Sequence, residues 1–103
     1  MASQYQNLLK QIQKSYNESD RKFISDAFYF AESAHGDQKR ESGEKYIIHP
    51  LATAQTLSSM NVDARTVAAG LLHDVVDDTE ATLEQIEKRF GKDVAFLVDG
   101  SRS

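Results

Sequence analysis

The sequence contains no cysteine. That excludes disulfides, zinc ribbons and thiol catalysis. Proline occurs once, at Pro50, and glycine five times, so few positions interrupt a helix. No apolar run is long enough to span a membrane. The N-terminal stretch MASQYQNLLKQIQK lacks the apolar core of a signal peptide. Positive charge is also short: 12 Lys and Arg stand against 16 Asp and Glu, a net charge of −4. A general nucleic-acid surface needs a basic face, so neither a nucleic-acid nor a membrane partner is expected. A local basic pocket for one anionic ligand remains compatible with this balance. Glycine-rich phosphate loops of the types G-x-x-x-x-G-K and G-x-G-x-x-G are absent. The 103 residues, 40% hydrophobic and 27% charged, suit one globular domain with a modest core. A soluble, cytoplasmic chain is expected.

What is present is helical periodicity from end to end, with no long alternating stretch of the kind a half-buried strand shows. Residues 3–16 carry a thin stripe of Leu8, Leu9 and Ile12 on a polar helix. Ser19 is a plausible cap for the next helix. There Phe23, Ile24, Ala27, Phe28, Ala31 and Ala34 recur at spacings of three and four up to His35. His35 is expected to bond locally or to face solvent. Residues 36–48 form a polar loop containing Lys39, Arg40 and Lys45. By default such a loop is solvated, but its basic side chains can also meet phosphate or stack on a base.

Pro50 suits the first position of a third helix and puts His49 at its cap. This helix runs to about Met60. Asp63 caps a fourth, mostly apolar helix through Val67, Ala68, Leu71, Leu72 and Val75, expected to be the central one. Thr82 and Gln85 form a capping box. Leu83, Ile86 and Phe90 make the next inner face, Gly91 ends that helix, and a short helix over 92–99 closes at Gly100.

The chemically informative feature is His73-Asp74 on the central helix, with His49 at the start of the helix before it. Imidazole and carboxylate both ligate divalent first-row metals. Neighbours on a helix diverge by about 100°, so His73 and Asp74 need a third ligand from another helix, and His49 can supply it. A charged Asp74 among Ala68, Ala69, Leu71, Leu72, Val75 and Val76 is costly unless paired. Against this, a lone histidine on an apolar face is ordinarily structural, and a His-Asp dipeptide is common by chance. Asp77 and Asp78 return to the side of Asp74 if the helix continues. Beside a metal, one of them can act as general base or orient the attacking water. Otherwise they are an acidic helix end capped by Thr79, against the macrodipole.

The stretches AHGDQKRESGEKYIIHP and AAGLLHDVVDDTEATLEQIEKRFGKDVAFLVDG together resemble the HD hydrolase domain of the RelA/SpoT-homologue family, which makes and degrades the alarmone (p)ppGpp. The resemblance covers about residues 20–100. It implies an all-α bundle of five or six helices with the site between the third and fourth, C-terminally shortened, in a single HD-type domain over 1–103. It implies a manganese ion held by His49, His73 and Asp74, and a substrate-binding loop in which Arg40 packs on the guanine base while Ser42 and Tyr46 match the family pattern. The family's fourth ligand is an aspartate in a later helix. This chain ends at Ser103, which leaves Asp99 or another chain to substitute. The family's Glu-Asp pair is here Asp77-Asp78, and its Arg-Lys pair is Arg40-Glu41, which places negative charge near the phosphates.

The activity implied is that of a guanosine-3′,5′-bis(diphosphate) 3′-pyrophosphohydrolase. Water activated by the metal attacks the 3′-pyrophosphate of ppGpp or pppGpp and releases GDP or GTP with pyrophosphate. Two other readings stay open. One is a non-catalytic HD module that acts through homodimerisation or nucleotide binding, with Val75, Val76, Phe96 and Leu97 at an uncovered apolar surface. The other is an HD phosphohydrolase for a different nucleotide.

Overall fold

A computed structural model describes residues 4–36 and 48–100, with side chains at 6–36 and 53–100. Helices α1 (Gln4–Ser15), α2 (Glu18–His35), α3 (Ile48–Ser59), α4 (Ala64–Leu72), α6 (Leu83–Phe90) and α7 (Lys92–Gly100) are joined by α5 (Val75–Asp78), a single turn. No strand occurs among the described residues. The architecture is all-α, as expected.

The fourth helix is the hub. Ala64 and every residue from Val67 to Leu72 are buried, and α2, α3 and α7 all pack against it. Small side chains on α4 let its neighbours come close, and Gly70 does so most directly against Thr53, Ala54 and Leu57 of α3. Helices α3 and α4 form a hairpin. Its turn is closed by Met60 N–H to Leu57 O (3.1 Å) and Asn61 N–H to Ser58 O (3.2 Å), with Asn61 in the left-handed region at φ 59°, where asparagine is among the few tolerated residues.

The sequence signals at element ends hold at Asp63, whose carboxylate accepts from Thr66 N–H. They hold at the reciprocal Thr82–Gln85 box and at Gly91, φ 97°. Three expectations need correction. The cap of α2 is Asn17, whose side-chain oxygen accepts from Asp20 N–H at 2.8 Å, so Ser19 lies inside the first turn, behind a residue that caps equally well. Helix α3 begins at Ile48, so His49 is within its first turn and not its cap. Pro50 is tolerated there because first-turn amides have no partner within the helix. His35 is buried, 2% exposed, and does not face solvent: it follows Phe28 and Ala31 on the inward stripe of α2.

The central helix also stops earlier than its apolar pattern predicts. It ends at Leu72, and His73 and Asp74 form a turn before α5. Val75, expected at an uncovered surface, is fully buried, and Val76 packs half-buried on the core, because the turn folds α5 back against α2. Phe96 and Leu97 are exposed, at 77% and 40%.

Candidate functional site

The turn at the end of α4 places His73 and Asp74 side by side, each about a quarter exposed. His73 Nδ1 lies 2.6 Å from the Gly70 carbonyl oxygen. A carbonyl can only accept, so Nδ1 carries the proton and donates it. In an unbroken helix that carbonyl would receive the amide of residue 74, and a side chain competing for it favours a break at this point. The other ring nitrogen, Nε2, stands 3.2 Å from Asp74 Oδ2.

This donor set fits a divalent cation. A neutral ring with its proton on Nδ1 presents the Nε2 lone pair beside a carboxylate oxygen. Two such electron-rich atoms at 3.2 Å are brought together by a shared cation or proton. Anchoring one histidine nitrogen on a backbone carbonyl is also the usual way a protein orients the other toward a metal. The pair offers two donor atoms, fewer than a coordination shell needs. Among the described residues no three His, Cys, Asp or Glu side chains come together as a metal site. Asp99, exposed near the end of α7, therefore does not complete one with His73 and Asp74.

The backbone of His49 is in the first turn of α3, and its side chain lies outside the described residues. The hairpin fixes where its backbone lies. Gly70 is opposite Thr53 and Leu57, and the two helices of the hairpin run in opposite directions. Three residues forward from Gly70 is His73, and four residues back from Thr53 is His49. The first turn of α3 and the last turn of α4 are thus at the same end of the hairpin.

Asp77 and Asp78 are exposed on α5. The backbone of α5 is tied to the histidine turn by Asp78 N–H donating to Asp74 O at 3.0 Å. Thr79 then closes the segment: its hydroxyl donates to Val75 O (2.6 Å) and accepts from Ala81 N–H (3.0 Å). Arg40, Ser42 and Tyr46, expected to bind substrate, lie outside the described residues, as do Lys39, Glu41 and Lys45.

Sequence reasoning did not find a cleft of about 690 Å³ between Tyr29, Phe30 and Ser33 of α2, Glu80, and Gln85 and Arg89 of α6. The Arg89 guanidinium lies 5.4 Å from the centre of the Phe30 ring and 5.8 Å from that of Phe90, within cation–π range. Its volume is in the range of small-molecule sites. No local motif marks it, because its two walls are far apart in sequence.

Comparison with known proteins places this all-helical chain in a known family. The HD-domain profile matches residues 27–103. The chain belongs to the HD-domain family. It is similar over most of its length to SpoT- and RelA-type (p)ppGpp enzymes. A guanosine-3′,5′-bis(diphosphate) 3′-pyrophosphohydrolase from Aquifex aeolicus is 51% identical over 77 residues, 75% of this chain and 11% of the relative. The bifunctional (p)ppGpp synthase/hydrolase SpoT of Escherichia coli is 45% identical over 96 residues, 93% of this chain and 14% of that protein. A GTP pyrophosphokinase rsh from Brucella ovis is 38% identical over 100 residues, 97% of this chain and 13% of the relative. This HD chain thus spans between 11% and 14% of the length of these relatives. No helix among its described residues is long and apolar enough to cross a membrane.

Proposed function

We propose that this HD chain carries the metal- and substrate-binding part of a (p)ppGpp 3′-pyrophosphohydrolase centre. The observation behind the reading is the His73-Asp74 turn, in which Nε2 and a carboxylate oxygen meet at 3.2 Å with the ring anchored from behind by Gly70. His49, His73 and Asp74 hold the ion, for which manganese is the candidate. When bound, that ion supplies Lewis-acid stabilisation of phosphoryl oxygen charge and lowers the pKa of water.

The chain's own residues do the rest. Arg40 stacks on guanine, and Ser42 and Tyr46 belong to the same substrate-binding loop. Asp77 or Asp78 accepts a proton from the water that adds to the 3′-linked phosphorus. The bond from that phosphorus to the 3′ ribose oxygen breaks and the oxygen takes up the proton, giving GDP or GTP and pyrophosphate. Glu41 near the phosphates weakens substrate binding.

The test is hydrolysis of ppGpp with and without manganese, following GDP and pyrophosphate, beside Asp74→Ala. Metal-dependent turnover that the variant loses supports the reading. Full turnover in the variant, or no manganese binding by the folded parent chain, overturns it.

A second reading is favoured by the exposure of Phe96 and Leu97 on α7, a pair of large apolar side chains in water. There the module acts by homodimerisation without turnover. Sedimentation should then show a dimer that Phe96→Ser dissociates. A monomer at high concentration removes this reading.

A further inference from the structure

We propose that Gly70 is a positioning residue for the metal half-site: its carbonyl sets the tautomer of His73, and its missing side chain sets the spacing of α3 and α4. The spacing half rests on the hydrolase reading, in which His49 and His73 share one metal; the tautomer half does not.

The carbonyl acts first. At 2.6 Å from Nδ1 it accepts the ring proton and leaves Nε2 as the ligand atom on the side of Asp74. With the opposite tautomer, Nε2 would carry a proton and could not ligate.

The missing side chain acts second. A Cβ on residue 70 would stand 2.7 Å from Leu57 Cδ1, 3.4 Å from Thr53 Cγ2 and 3.9 Å from the Ala54 Cα. The first neighbour is the free end of a flexible side chain and can swing aside. The other two stand at ordinary contact distance. Alanine is therefore admitted by a rotation of Leu57, whereas a β-branched residue has to push α3 away from α4. The same hairpin carries His49 in its first turn on α3 and His73 at the end of α4. Its spacing at Gly70 thus sets how far apart the two backbones that carry these histidines lie, which on the hydrolase reading governs whether they can share one ion.

Two measurements test this. In metal-free protein, two-bond proton–nitrogen correlations at alkaline pH should show His73 with its proton on Nδ1. A ring protonated on Nε2 overturns the carbonyl's role. Manganese affinity, read from the electron paramagnetic signal of free Mn²⁺, should hold in Gly70→Ala and fall about ten- to a hundredfold in Gly70→Val, with the helical circular dichroism retained. Leu57→Phe presses on the same contact from the α3 side and should weaken binding likewise, which keeps the test open if Gly70→Val does not fold. Unchanged affinity in a folded Gly70→Val or Leu57→Phe overturns the spacing role. Parent protein that binds no manganese overturns the hydrolase reading and the spacing role together, and the tautomer alone then decides whether Gly70 orients His73.

Discussion

Tyr16 joins two parts of the chain that lie 46 residues apart. Its hydroxyl donates to the Val62 carbonyl in the turn of the α3–α4 hairpin, and its own carbonyl accepts from Arg21 Nη1 at 3.2 Å. Burial pushes the phenol pKa upward from 10.0, and the carboxylates of Asp63 and Asp20 push it further the same way. The neutral phenol is therefore favoured in the folded state. Its contribution is fully present below pH 10.0 and is lost as pH rises through the higher folded value. Tyr16→Phe should cost about 0.5–1.5 kcal/mol at neutral pH in a urea titration, and the gap to the parent should close at strongly alkaline pH. A gap that persists there would mean that the hydroxyl is not the group responsible.

Single helices separate what was legible in the sequence from what was not. The Thr82–Gln85 box is written within four residues, and it forms with Thr82 N–H to Gln85 Oε1 at 3.0 Å and Gln85 N–H to Thr82 Oγ1 at 3.2 Å. Thr82→Ala should lower stability by about 1 kcal/mol, seen as a lower melting temperature with the fold intact. Asp63 and Gly91 were readable for the same reason: cap and capped amide are close in sequence. The break at His73-Asp74 was not readable, because the apolar pattern continues from Leu72 into Val75 and only a side chain turning back onto Gly70 reveals the stop. Burial of His35 and Val75 depends on which helices pack around them, which no local window contains. Of the candidate site, the adjacency of His73 and Asp74 was legible from the sequence, whereas the side chain of His49 lies outside the described residues. The Gly70 anchor and the cleft beside Arg89 needed the fold, since their parts meet only through tertiary packing.

Across the whole molecule, the packing is centred on one helix. Helix α4 touches α2, α3 and α7, and its inner residues Val67, Ala68, Leu71 and Leu72 are fully buried. Segment α5 is only four residues long, with Asp77 and Asp78 on its outside. Local opening follows such differences in burial. In deuterium exchange, the amides from Ala68 to Leu72 should be among the slowest and should exchange only when the whole fold opens, whereas those from Asp77 to Glu80 should exchange by a local route. Equal rates in the two segments would contradict a hub at α4. His73 and Asp74 sit where these two regimes meet. A ligand that grips both would tie a segment that opens locally to one that does not, so its grip would be felt as slower exchange in α5 and as little change in α4.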